Sequence, residues 1–406
     1  MDTFTFNITD TLIISIIVLY LGNILTHRIS ILSKYSIPQA VTGGLLVSLI
    51  TLIIVKLGGP KIEFDLQLRD ALLLVFFSTI GLSAKFSQLK QGGRSLLILM
   101  LCTSVLLVAQ NLAGVLLAKL FGAHPAYGLF KGSVSFAGGH GTAIAWGQEA
   151  EAAGLYNAGL IGIAFATFGL ISGGIIGGPI AEFLMKRYRL QPADSSQEHS
   201  MMGSDDAVLK SSGPVTMHRI LKTIMILAVC VSFGDLVNRL FFDAGMNLPG
   251  FLTAMMIGIV ITNLATVFGK EIRQPDFDKV GEVALQLFLS MSLMSMDLNA
   301  ITQIIGIVFI VLIVQMIVIT LFAVVIVFRL MGKDYDAAVI CAGFTGLGLG
   351  ATPVAIANMN AITSKYGPSL KAFLVVPLVG AFFLSLVNVL VIKFFIGLPI
   401  IQNTPL

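Results

Sequence analysis

Two stretches of the chain place glycines, hydroxyls and one imidazole where they could touch a small ligand. The first is Ser133 to Trp146, Ser-Val-Ser-Phe-Ala-Gly-Gly-His-Gly-Thr-Ala-Ile-Ala-Trp. The second is Gly343 to Ile356, Gly-Phe-Thr-Gly-Leu-Gly-Leu-Gly-Ala-Thr-Pro-Val-Ala-Ile, which lies 210 positions later. At that offset Ser135 meets Thr345, Gly138 meets Gly348, His140 meets Gly350, Thr142 meets Thr352 and Ala145 meets Ala355, while upstream Gly122 meets Gly332. Glycine lets backbone N–H and C=O groups approach a ligand with no Cβ in the way. Amino ends of short helices offer free N–H donors and partial positive charge to a carboxylate, whereas unwound carbonyls and Thr hydroxyls suit Na⁺.

Glycines also let helices pack closely in membranes, which is the plain alternative for any one Gly-x-x-x-Gly. Two breaks at matched offset, each with a Thr in the same place, favour a ligand site between two repeats. The expected substrate contacts are Ser135, Gly138, Gly139, His140, Gly141, Thr142, Gly346, Gly348 and Asn358. The expected Na⁺ ligands are Thr345, Gly348, Gly350 and Thr352, because the second stretch has no ionisable side chain and is interrupted by Pro353, which lacks an N–H. The first tip, richer in donors and carrying His140, suits a carboxylate better. His140 could bind substrate, shuttle a proton or pack as a neutral ring. Asp297, at the end of an apolar run, is either an intramembrane functional group or an interfacial one. Lys131 can reach water along its own stem.

These residues need a setting, and composition supplies it. Hydrophobic residues make up 56% of the 406 and charged ones 11%, with a mean hydropathy of +0.94. A soluble domain carries about 25% charged residues, so the chain reads as an all-α polytopic membrane protein. Its net charge of +4 then reports topology rather than an acidic or nucleic-acid partner. Cys102, Cys230 and Cys341 have no metal-ligand spacing and take no role. Met1 to Asp10 lacks the basic start of a cleavable signal, so the run from Thr11 is expected to remain as the first span. No Ser–His pair, His-Glu-x-x-His helix or paired Asp set is placed for hydrolysis, so no enzyme activity is expected. A channel would need a continuous lined pore.

Apolar runs long enough to span are Thr11–Thr26, Pro38–Val55, Ala71–Ala84, Ser95–Leu120 and Ala158–Met185, then Ile220–Phe242, Pro249–Phe268, Val280–Met296, Ile301–Phe328 and Ala372–Phe395. The third and eighth are short. Basic residues gather at Arg28 and Lys34, Lys85 to Arg94, Lys186 to Lys222, Lys270 to Lys279 and Arg329 to Lys371. The positive-inside rule puts all five groups in the cytoplasm only if 126–149 dips in and out from outside and 336–361 from inside. The expected organisation is therefore a first inverted repeat over 1–185, a cytoplasmic linker over 186–217 and a second repeat over 218–406. Each repeat has five spans and one re-entrant hairpin. An odd number of spans inverts the second repeat relative to the first, as in many secondary transporters. Ile37-Pro38 and Leu248-Pro249 open matching spans, and Gln110 and Gln315 hold similar places in the fourth and ninth.

The chain resembles the bacterial glutamate:sodium symporter family over nearly its whole length. The resemblance is carried by Ile37-Pro38, Leu68-Arg69-Asp70, Phe76 to Leu82, Gly138-Gly139-His140-Gly141, Gly332 to Ala338, Gly346 to Pro353, Ala355 to Met359 and Val375-Val376-Pro377. It departs at Ala137, where the family commonly has the Ser of Ser-Gly-Gly, and at Lys131, where a small residue is usual. The resemblance implies Na⁺-coupled import of L-glutamate across the bacterial inner membrane and a homodimer. It also implies a mobile domain that carries the hairpins past a scaffold in an elevator-type motion. Both termini would be periplasmic. The residues alone leave open a di- or tricarboxylate as the substrate on the same fold.

Overall fold

Most of the apolar runs are helices. The computed structural model describes residues 3–30, 32, 37–86, 93–191, 216–244, 248–270, 272, 274–296 and 305–404. Asp297 and most of the expected linker, 192–215, lie outside the described residues. The helices are α1 Ile8–Arg28, α2 Gln39–Lys56, α3 Gln67–Ser83, α4 Gly93–Leu120, α5 Tyr127–Phe130, α6 Gly139–Ala152, α7 Ala158–Tyr188, α8 Met217–Asp243, α9 Gly250–Val267 and α10 Gln274–Met294. Next comes α11, which runs from Ile305–Phe322 through a π-helical turn, Ala323–Val327, into Phe328–Leu330. After it come α12 Tyr335–Leu349 and α13 Thr352–Tyr366. The last long helix, α14, runs from Leu370–Leu378 through π-helical Val379–Phe383 into Leu384–Ile396, and α15 is Pro399–Gln402.

Seven of the described helices are long and apolar enough to cross a membrane, and the α14 pair, bent by 48°, makes an eighth when counted as one broken span. The two remaining expected spans are the short ones. α3 has only 17 residues, and α10 opens with Gln-Pro-Asp-Phe-Asp-Lys, so its apolar part is brief. α7 runs three residues past the expected Met185 boundary, to Tyr188, and ends with Arg189 in a left-handed cap.

The all-α expectation misses one small element. Strands β1 (Thr3–Phe6) and β2 (Lys61–Phe64) pair in parallel, Thr3 opposite Lys61 and Phe6 opposite Phe64. α1 and α2 form an antiparallel pair, so the chain returns to the same end before β2. Each strand leads into a helix running the same way, which makes the two strands parallel.

Local sequence sets several helix ends. Pro38 and Pro249 stand just before α2 and α9 with φ/ψ of −60/140° and −60/139°, and each is followed by a helix of 18 residues. A ring-fixed φ and a missing N–H cost nothing at that position. Gly122 and Gly332 follow α4 and α11 in left-handed backbone, φ +69° and +118°, which a residue with a Cβ adopts only under strain.

The helices sort into two groups. α1, α2, α3, α8, α9 and α10 pack on one another, and α4 to α7 pack with α11 to α14. The second group holds a core that includes Phe136, Phe165, Phe328 and Phe344. Contacts between groups are sparser and run along a seam where α6 meets α10 and the π-helical turn of α14 meets α3. Trp146 of α6 stands edge-on to Phe251 of α9 there, with ring centroids 5.7 Å apart.

Candidate functional site

The two glycine-rich stretches come together. In the first, α5 gives way to a run of turns over 131–138 before α6 begins at Gly139. In the second, α12 stops at Leu349, Gly350 leaves the helix with φ/ψ of −150/−99°, Ala351 is extended, and α13 begins at Thr352. A Cβ built on Gly139, whose φ is +67°, would stand 3.8 Å from the carbonyl oxygen of Gly350. The tips therefore face each other with backbone alone between them.

Both tips present helix amino ends. Gly138 and Gly139 donate to the carbonyls of Ser133 and Ser135, but the N–H groups of His140, Gly141 and Thr142 open α6 with no backbone acceptor outside that helix. In the second tip the N–H of Thr352 is free in the same way and Pro353 has none, while the carbonyl end of α12 arrives alongside. The first tip thus offers donors, and the second offers donors and carbonyl oxygens together. The hydroxyls of Thr142 and Thr352 have no hydrogen-bond partner among the described residues. Thr142 is buried and its side chain lies against Gly138. Thr352 lies under α14, where a Cβ on Gly380 would come within 2.5 Å of its Oγ1.

His140 is fixed by α7. Its Nε2 stands 2.9 Å from Thr167 Oγ1, and that hydroxyl donates its single proton to the Ile163 carbonyl at 2.9 Å. With that proton on the Ile163 carbonyl the Thr167 hydroxyl accepts from an Nε2–H, and the ring's Nδ1 is then the nitrogen left open. α7 supports the second tip as well. Gly169 and Gly173 lie against Leu349, Gly169 also meets Phe136 of the first stretch, and Gly177 receives the side chain of Asn358. One face of α7 therefore bears both tips.

Not every expected residue reaches the tips. Ser135 Oγ closes its own turn by donating to Phe130 O at 2.5 Å, and Thr345 Oγ1 donates to Cys341 O inside α12 at 2.8 Å. Asn358 sits two turns along α13, where its Nδ2 donates to Gly173 O at 2.9 Å and Ala342 O at 3.3 Å. Gly346 faces the backbone of Ala355 and lets α12 and α13 pack together. Gly348 faces Ile319 and Leu106, and its carbonyl accepts from Gln110 Nε2 at 2.7 Å. The structure brings together Gly138, Gly139, His140, Gly141, Thr142, Gly350 and Thr352. Gly141 looks across the seam, where a Cβ would stand 3.3 Å from Phe76 and 3.4 Å from Leu285.

The residues that sequence reasoning passed over are Thr167, Gly380 and the α7 glycines. Gly169, Gly173 and Gly177 recur every fourth position, a small-residue ridge of the kind that lets membrane helices approach closely. That spacing was the available signal. A cavity of about 610 Å³, lined by His124, Trp146, Glu149 and Lys393 among others, lies beside the far part of α6 and includes no tip residue.

The comparisons with known proteins agree with one another. A family described as sodium/glutamate symporter matches residues 4–368. The sodium/glutamate symporter of Escherichia coli (strain K12) is 42% identical over 395 residues, covering 96% of this chain and 97% of the relative. The Shigella flexneri sodium/glutamate symporter matches equally, and that of Haemophilus influenzae is 40% identical over the same shares.

Proposed function

The chain belongs to the sodium/glutamate symporter family, and on that premise we propose that it imports L-glutamate across the bacterial inner membrane with Na⁺ as coupling ion. The observation that carries a site for this is the meeting of the two tips, Gly139 against the Gly350 carbonyl. Free N–H groups at His140, Gly141 and Thr142 suit a substrate carboxylate. Oxygens at the carbonyl end of α12, with Thr352 Oγ1, suit Na⁺. In this proposal Ser135, Thr345, Gly346, Gly348 and Asn358 shape the tips and touch the ligand less.

The proposal includes two inverted repeats, each with a re-entrant hairpin. Support comes from Pro38 and Pro249 before helices of equal length and from Gly122 and Gly332 closing the helices that precede the two breaks. It places both termini outside and residues 186–217 in the cytoplasm, and it takes a homodimer as the unit. The group bearing both tips moves past the other group along the sparse seam, carrying the site between the two sides. That reading draws on a seam packed by side chains with few close backbone approaches, and on Gly141, which keeps the moving face smooth against Phe76 and Leu285.

The test is uptake of labelled L-glutamate into proteoliposomes containing the full chain. An inward Na⁺ gradient is expected to drive accumulation that K⁺ cannot replace, with aspartate, citrate and malate competing poorly. Citrate or malate competing as well as glutamate would favour the carboxylate alternative instead.

A further inference from the structure

A second group of buried oxygens lies where α4 and α11 cross. Gln110 and Gln315 are both fully buried. Gln110 Nε2 donates to Gly348 O at 2.7 Å, reaching the second broken stretch. Gln315 Nε2 reaches the first, donating to Lys131 O at 2.8 Å and also to Gln110 O at 2.9 Å. Ser133 joins the same network. Its N–H donates to Asn111 Oδ1 at 2.8 Å, and its carbonyl accepts from Asn388 Nδ2 at 3.1 Å.

Every amide nitrogen of Gln110, Gln315 and Asn388 is thus spent on the backbone of a broken stretch or of a neighbouring helix, and every amide oxygen is left over. Gln110 Oε1, Gln315 Oε1, Asn388 Oδ1 and Ser133 Oγ are all buried with no partner. The carbonyls of Lys131 and Gly348 each keep a second lone pair, whereas that of Ser133 already accepts from Gly138 N–H and Asn388 Nδ2. Against these acceptors stands one orphan amide donor, Asn111 Nδ2, and the hydroxyl proton of Ser133. Proteins rarely bury so many unpaired acceptors together, because each one forfeits its bond to water. An excess of neutral oxygens with no carboxylate among them suits a hard monovalent cation. Among the described residues no group of three His, Cys, Asp or Glu side chains could hold a metal, so nothing here favours a divalent or soft ion. The Lys131 side chain lines a separate pocket of about 210 Å³ with Tyr127, Phe165 and Ile307.

We propose that Gln110, Gln315, Ser133 and Asn388 form a second Na⁺ site at the crossing of α4 and α11, linking the roots of the two broken stretches. The crossed pattern gives the ion a purpose. Each glutamine grips the backbone of one stretch, so an ion held by both amide oxygens fixes the two tips relative to each other before substrate arrives. The proposal rests on sodium coupling and adds where a further ion sits and what it orders.

The cleanest probe is Ser133→Ala, since Ser133 Oγ has no protein bond to lose. The full-length purified protein is titrated with NaCl at constant ionic strength, choline replacing Na⁺, with no substrate present, and its melting temperature is followed. Ser133→Ala is expected to raise the half-saturating Na⁺ concentration about threefold or more, the effect of losing one neutral ligand. Its melting temperature in choline alone should stay at or above wild type. Ser133→Cys, which swaps oxygen for soft sulfur, should behave alike. Unchanged Na⁺ titrations in both variants would mean that water fills the network, and a lower melting temperature in choline would mean that Ser133 is only structural; either overturns the proposal. A wild type that Na⁺ does not stabilise at all would instead remove the coupling on which it rests.

Discussion

At Gly139 the backbone turns through φ +67°, and among the described residues the neighbour its missing side chain would meet is the opposing tip. Space is not the constraint there, because 3.8 Å is an ordinary contact. Conformation is. A residue with a Cβ held in left-handed backbone costs roughly 1–2 kcal/mol, so Gly139→Ala should cut the rate of glutamate uptake about tenfold while leaving the amount of protein in the membrane near normal. Uptake within a factor of two of wild type would show that the tip does not need this backbone. The glycines and threonines of the tips were legible in the sequence because they repeat at a fixed offset. Thr167 was not. Its part depends on the His140 ring reaching across to another helix, and no spacing in the chain announces a tertiary hydrogen bond. Thr345 and Asn358 suit a ligand by residue type, and no spacing in the chain shows that each also donates to a nearby carbonyl.

Among the elements, the apolar runs announced helices because about twenty helical residues cross a bilayer and few charges interrupt them. The π-helical turns at Ala323–Val327 and Val379–Phe383 were not legible. A π turn inserts one residue without changing the apolar pattern around it. The second of these turns brings Gly380 over Thr352, so a local irregularity makes room for one tip. The paired strands were missed because four residues of mixed polarity carry little signal, and their pairing follows from α1 and α2 returning the chain to one end. Direction in the membrane is a claim about elements, and single cysteines test it. Cys102, Cys230 and Cys341 are buried, so new thiols at Gln191 and Asn403, both exposed, report cleanly. An impermeant reagent applied from outside is expected to label Asn403→Cys in intact cells and Gln191→Cys only after lysis. Labelling of both from outside would rule out the inverted arrangement.

For the whole molecule, the division into two helix groups was the least legible feature, since sequence order interleaves them: α4 to α7 belong with α11 to α14, while α8 to α10 return to the first group. Motion along the seam can be stopped without touching the tips. The side-chain amide of Gln148 of α6 lies against Arg69 and Asp70 of α3, on an exposed part of the seam. Joining Asp70→Cys to Gln148→Cys with a short reducible cross-link is expected to halt uptake, and reduction should restore it, each single variant remaining active. Undiminished uptake by the cross-linked protein would mean that the groups do not need to slide. The central claim, that two facing tips share one site with Na⁺ held mainly by the second, is tested most directly by the Na⁺ and glutamate dependence of uptake in two variants that keep volume and lose one hydroxyl. Losing a neutral ligand is worth about 1 kcal/mol, roughly fivefold in affinity. Thr352→Val should raise the half-maximal Na⁺ concentration by that factor, and Thr142→Val should weaken glutamate affinity at saturating Na⁺. A shift in Na⁺ dependence from Thr142→Val and none from Thr352→Val would contradict the account.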